Sequence, residues 1–547
     1  MRRKKSEDSI VRQVNAATEK GAASAKQEES KQKRRRRPLR TVLIVLCSIA
    51  GVVALALGGF AVWNAAARAN QNAVLAEGIN LDKPLPAKPA PMAGGPTNGA
   101  TTREGFTVTG PVTGGSHGTP FAAYYGDISK VGYVEEEYFL SGIAQHYVPT
   151  GELTSDGKWT LNPGSTAPYT TRILVRRPAD PTKFNGTVIV EWANVSGGYD
   201  FSGGDPEGIY QSGFAYVLVS AQPISITGFA EDPKGLKTWD PERYGTLNIP
   251  DEGLSYDVFT QAARAVGPDR AGEGADPMGG LKVEHLIAYG ASQSGSRILA
   301  YANGVQPIEE TFDALMPVLD GGHASDFQEA DAHAVKGGGS RDVQSKVRDD
   351  LQVPVLSMST QSEAAFYFGM RQPDSNVFRS WEIAGAPHFP SELMTIVANK
   401  VGRDGIVSAA FSLSNRPNDV DWYPALEAAY VRVNEWIRGE AVPPRVPPLQ
   451  VSLLRFTYSN DKYGNVHGGL RLPEITVPTA TYDVSIFSGL LGKTTPFDRN
   501  RLAKLYPTHE DYIAKVTAAA QQAEKDGILL PYRVQQYIDQ AKAANIP

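Results

Sequence analysis

The chain has 547 residues, 41% of them hydrophobic, enough for one large core or two smaller ones. Its net charge of −5 hides an asymmetry: residues 1–40 hold 14 Lys and Arg against 5 Asp and Glu, a net of +9, which leaves −14 on the rest. An acidic body excludes nucleic acid as the expected partner, since that affinity comes mainly from neutralised phosphates.

The basic head, residues 1–40, is charged and lacks apolar periodicity, so it is expected to be disordered. An uncharged run of 23 residues follows, Thr41 to Trp63. As a helix rising about 1.5 Å per residue it is long enough for a hydrocarbon core of roughly 30 Å. The basic flank on its N-terminal side predicts a cytoplasmic head and a body outside the membrane, with the bilayer as a partner. Secretion after cleavage near Ala65-Ala66-Ala67 is the alternative; the long head and long apolar run favour a retained anchor. Cys47, the one cysteine, lies inside the apolar run, so the body has no disulfides. Residues 64–105, rich in Pro, Ala and Gly, read as a tether, and residues 106–547 as one catalytic body.

In that body short β-branched runs alternate with helical patterns, the mark of an α/β fold. Strands are expected at Thr171–Arg176, Gly186–Trp192, Tyr216–Ala221, Val283–Tyr289, Ala314–Leu319, Val353–Met358 and Phe378–Ile383. Helices are expected at Ser255–Val266, capped by Ser255, and at Ser296–Asn303, Glu510–Glu524 and Tyr532–Ala543. The residues between Gly322 and Arg348 are a candidate cap over the site.

The segment Gly290-Ala291-Ser292-Gln293-Ser294-Gly295 joins an expected strand to an expected helix. A nucleophile elbow needs this context, with small residues two before and two after the serine. Ser292 meets that requirement with Gly290 and Ser294; Ser294 is the rival nucleophile. A serine needs a base, and the base needs an acid to orient it, in the chain order Ser, Asp/Glu, His. Of eight histidines five follow Ser292, and His388 stands just after the last expected core strand, with His323 as runner-up. Glu363, in the exit loop of the preceding strand, is the first candidate acid; Asp374 and Asp320 remain open. The oxyanion donors are assigned to the N–H of Gln293 and to that of Ala193 or Asn194 in the loop after Trp192. No metal site or cofactor is expected: there is no H-E-x-x-H, the histidines are scattered, and the Gly-rich stretch at Lys336–Ser340 lacks the phosphate-loop lysine.

Several segments together (NGTVIVEWANVSGG, WDPERYGTL, SYDVFTQAARAV, YGASQSGSRILAYANGV, VPVLSMSTQSE, WEIAGAPHF and PFDRNRLAKLYPTHEDYIAKV) resemble a family of bacterial α/β hydrolases known as alpha/beta hydrolase domain proteins. The resemblance spans most of residues 106–547 and implies an α/β-hydrolase fold, a mostly parallel sheet flanked by helices. It implies Ser292 as elbow serine and His388 as the histidine of its AG-x-x-H segment. Members tend to carry two acids where this chain has Gln361 and Glu363, so Glu363 is the acid carried over. The function expected is a membrane-anchored serine esterase acting on small-molecule or carbohydrate esters. Acyl transfer by the same triad, or ligand binding on a hydrolase scaffold, are the alternatives.

Overall fold

A computed structural model describes residues 105–270, 273–328, 342–406, 417–452, 457–484 and 489–547. The head, the expected membrane helix at 41–63 and nearly all of the tether lie outside the described residues. Among those that are described, no helix is long and apolar enough to cross a membrane.

The fold is an α/β arrangement built on a ten-stranded sheet. In chain order its strands are β1 (Thr107–Thr109), β2 (Tyr133–Pro149), β3 (Leu161–Pro178), β4 (Thr187–Trp192), β5 (Ala215–Val219), β6 (Glu273–Gly274), β7 (His285–Ala291), β8 (Ala314–Val318), β9 (Val355–Thr360) and β10 (Phe378–Ile383). They lie side by side as β10-β9-β8-β7-β4-β5-β3-β2-β1-β6. The six from β10 to β5 run parallel. The long β2–β3 hairpin is antiparallel and joins them through β5. Every residue of β4, β5, β8 and β9 is buried, as expected of parallel strands covered on both faces.

Chain order reverses around β4: β5 returns beside β3, and β7 enters on the other side. Such a switch point opens a crevice at the carboxyl ends of the strands, here between the exit loops of β4 and β7. The principal helices are α1 (Ser255–Val266), α2 (Gln293–Ala300), α3 (Gln361–Tyr367), α4 (Ser391–Arg403), α5 (Tyr423–Ile437), α6 (His509–Lys525) and α7 (Pro531–Ala543). Helix α2 packs on β4, β7 and β8, and α6 pairs with α7.

Two of the expected helices depart from expectation. The helix after the elbow begins at Gln293, three residues early, and ends in a wider π turn, Tyr301–Val305. Ser255 does not cap α1: a 3₁₀ turn at Glu252–Leu254 runs straight into the helix, and the Ser255 hydroxyl is buried without a hydrogen-bond partner among the described residues. Of the expected cap, residues 329–341 lie outside the described part; its flanks, His323–Ala324 and Val343–Gln344, form a short antiparallel ladder.

Candidate active site

Strand β7 ends at Ala291 and α2 begins at Gln293, so Ser292 alone makes the turn, at φ 61° and ψ −122°. A serine at positive φ is strained by roughly 1–3 kcal/mol and persists only where its surroundings enforce it. Two contacts do so: the Ser292 N–H donates to the Val318 carbonyl at 2.8 Å, and its carbonyl accepts from Ser296 at 3.1 Å. The small neighbours are required by space. A Cβ on Gly290 would lie 2.5 Å from the Ser294 carbonyl oxygen, and one on Gly295 would lie 2.2 Å from that of Val318. Ser294 itself is fully buried and its hydroxyl donates to the Ala291 carbonyl at 2.9 Å. That inward bond sets it apart from half-buried Ser292.

Glu363 and His388 meet across two loops. Thr360, at the end of β9, caps α3, and Glu363 completes the reciprocal box, its Oε2 accepting from the Thr360 N–H at 3.0 Å. The other oxygen, Oε1, lies 2.6 Å from His388 Nδ1. The cap thus fixes the carboxylate that fixes the ring. His388 is held at its backbone too: its N–H donates to Ser362 Oγ at 3.0 Å, and its carbonyl accepts from Trp422 Nε1 at 3.2 Å. Phe389 packs edge-on against the imidazole. Among the described residues, nothing hydrogen-bonds His388 Nε2. Gln361, which stands where the resemblance led us to expect an acid, braces the same loop by accepting from the Gly385 N–H at 2.9 Å and donating to the Val484 carbonyl at 3.0 Å.

Among the described residues, neither of the other candidate acids hydrogen-bonds the His388 ring. Asp374 lies 3.5 Å from Arg445 and accepts from the Ser380 N–H at 3.3 Å. Asp320 follows β8, after Leu319 at φ 57°. It is buried with Oδ1 unpartnered among the described residues. Burial first, and the nearby Glu363 charge, push its carboxyl up to about 7. His323 bonds through its backbone N–H to the Asp320 carbonyl.

The oxyanion assignment needs correction. The Ala193 N–H donates to the Val219 carbonyl and that of Asn194 to the Phe201 carbonyl, each at 3.1 Å, so neither is available to a substrate. Asn194 acts through its side chain, whose Nδ2 donates to the Ala291 carbonyl at 3.0 Å and ties the β4 exit loop to the elbow. The Gln293 N–H, at the first position of α2, belongs to the helix donors that lack an intrahelical acceptor. The next donor along the β4 exit loop, the Val195 N–H, meets no acceptor among the described residues. A separate cavity of about 510 Å³, lined by Phe106, Val108, Arg270 and Leu281 among others, sits by β1 and β6 at the opposite edge of the sheet.

A family model described as "Alpha/beta hydrolase domain" matches residues 108–539. The chain belongs to that family. No curated protein matches the sequence. Among solved structures, this alpha/beta hydrolase is similar to esterase Est22, at 12% identity and TM-score 0.26, over 51% of this chain and 81% of that one. It is similar also to a fungal esterase from Rhizomucor miehei, at 10% identity and TM-score 0.27, over 55% and 85%. A third is brefeldin A esterase, a bacterial homologue of human hormone-sensitive lipase, at 11% identity and TM-score 0.23, over 69% and 86%.

Proposed function

We propose that this alpha/beta hydrolase is a serine esterase in which Ser292 attacks a carboxylic ester and forms an acyl-enzyme. The observation that carries the reading is a serine in a strained strand-to-helix turn at the carboxyl end of the parallel strands, the same end at which a buried carboxylate holds a histidine by Nδ1. That bond leaves Nε2 to take the Ser292 proton as the carbonyl is attacked. His388 then returns the proton to the leaving alkoxide, and Glu363 stabilises the imidazolium in between. Water activated by the same nitrogen releases the acid and restores Ser292. The negative oxygen of the tetrahedral intermediate is received by the N–H groups of Gln293 and Val195, each worth on the order of 3 kcal/mol.

In this proposal residues 41–63 anchor the chain in the bilayer, with the basic head in the cytoplasm and the hydrolase body outside. Substrates are then small-molecule or carbohydrate esters met at the cell envelope. The test is fluorophosphonate labelling of the full chain in detergent. Labelling should disappear in Ser292→Ala and His388→Ala and persist in Ser294→Ala. A folded wild type that takes no label would return the protein to the ligand-binding reading.

A further inference from the structure

Gln222 lies just beyond β5, is fully buried, and among the described residues hydrogen-bonds neither Ser292 nor His388. Its Oε1 accepts from Trp192 Nε1 at 2.9 Å and from Gln293 Nε2 at 3.1 Å, while its Nε2 donates to Glu252 Oε1 at 2.8 Å. The amide has only one workable orientation: an indole N–H can only donate and an ionised carboxylate can only accept. Glu252 in turn pairs with Arg297 at 2.7 Å, both almost fully buried. Arg297 stands four residues after Gln293, on the same face of α2. The bonds therefore close a ring that leaves the elbow helix at Gln293, passes through Gln222 and Glu252, and returns to it at Arg297. Trp192 joins the ring as a spur from the last residue of β4, three positions before Val195.

We infer that Gln222 is a positioning residue for the oxyanion site, setting the distance between the β4 exit loop and the elbow helix that present the two N–H donors. The inference rests on the esterase reading proposed above. Both loops leave the sheet at its switch point, on strands paired in register from Thr187 opposite His285 to Glu191 opposite Tyr289. Beyond the strands the ladder ends. Among the described residues, the direct hydrogen-bonded ties between the loops are the Asn194 side chain to Ala291 and this glutamine hub. Oxyanion donors act on charge that develops only in the transition state, so a small misalignment should lower kcat and leave KM nearly unchanged.

The experiment compares the full chain with Gln222→Met, Gln293→Leu and the double variant, using a p-nitrophenyl ester and a boronic acid that forms a tetrahedral serine adduct. Gln293→Leu keeps the backbone donor and removes only the side-chain link, so it also serves if Gln222→Met does not fold. We expect kcat to fall roughly 30- to 100-fold with KM within twofold, boronate affinity to weaken in parallel, and the double variant to match the worse single one. Folded variants with kcat within twofold of an active wild type would overturn the inference and leave the esterase reading intact. Equal losses in kcat and in substrate binding would also overturn it, marking a general packing role. Absence of both hydrolysis and labelling in folded wild type would overturn the esterase reading and this inference with it.

Discussion

Two sets of serine, histidine and carboxylate among the described residues invite comparison, and only one has the features that the proposed esterase needs. At the end of the β2–β3 hairpin, His146 Nε2 lies 2.6 Å from Asp251 Oδ1, and Ser165 Oγ lies 2.9 Å from His146 Nδ1. The His388–Glu363 contact is also 2.6 Å. Distance and residue type therefore do not separate them. Backbone and occupancy do. Ser165 sits within an antiparallel strand at negative φ, with no helix start beside it to supply N–H donors. Both ring nitrogens of His146 are engaged, and Nδ1 also meets the Ser165 carbonyl at 2.9 Å. Ser292 stands in a strained turn at the mouth of α2, and His388 spends one nitrogen on Glu363 and keeps the other.

The sharpest way to break this comparison is to remove both serines in turn. Ser292→Ala should lower ester turnover by on the order of 10⁴- to 10⁶-fold, because a triad without its nucleophile retains only binding and oxyanion stabilisation. Ser165→Ala should leave it within twofold. Steady-state hydrolysis of an activated ester measures both, and a large loss in Ser165→Ala would reverse the assignment. Glu363→Gln comes next, with an expected loss of roughly 10³- to 10⁴-fold, since an amide at that position cannot stabilise the imidazolium. If Asp320→Asn proved more damaging than Glu363→Gln, the acid would be Asp320.

Much of this was legible in the sequence, for identifiable reasons. Strands buried on both faces are written as nearly unbroken apolar runs, so β4, β5 and β8 were found within two residues. The elbow was legible because the crowding around Ser292 excludes even a Cβ at Gly290, and the sequence keeps a small residue, Ser294, two positions after the serine. The β2–β3 hairpin was largely missed. Its strands carry Glu135, Glu136, Glu137, Arg172 and Arg176, which read as solvent-facing. In the fold Arg172 and Arg176 are fully buried and neutralised across the sheet by Glu137, Asp200, Glu135 and Asp205. Pairing over that distance leaves no local pattern. The oxyanion donor was misassigned for a similar reason: Ala193, Asn194 and Val195 are consecutive, and only backbone bonds from β5 and from Phe201 decide which N–H stays free. The acid was left among three residues because chain order cannot register the contact between α3 and the β10 exit loop.

Asp320 offers a third test, now of stability. Its carboxyl is raised to about 7 in the fold, far above an unfolded aspartate, chiefly by burial and then by Glu363. The folded state therefore binds the proton more tightly than the unfolded chain. The Asp320 contribution to stability is greatest below the unfolded pKa, near 4, and is lost as pH rises through about 7. Asp320→Asn removes the titrating group while keeping its size. The variant should gain on the order of 2–4 kcal/mol over wild type at pH 8 and show a flatter dependence between pH 4 and 7. Urea denaturation at a series of pH values measures this, and parallel curves for the two proteins would show that the carboxyl is not held neutral.

The smallest effect returns to the hairpin group and completes the contrast. Asp251→Asn leaves the His146 contact in place as a neutral hydrogen bond, on a carboxylate whose side chain is 26% exposed. A charge-assisted bond exchanged for a neutral one at a partly solvated site should cost about 1 kcal/mol. The same substitution type at Glu363 should cost at least as much stability, since that carboxylate is buried and completes the α3 capping box, and should be felt severely in turnover. Melting temperature and kcat measured on both variants thus separate the groups by turnover and not by stability. If Asp251→Asn slowed turnover as strongly as Glu363→Gln, free nitrogens and strained serines would not be what distinguishes a catalytic histidine in this fold.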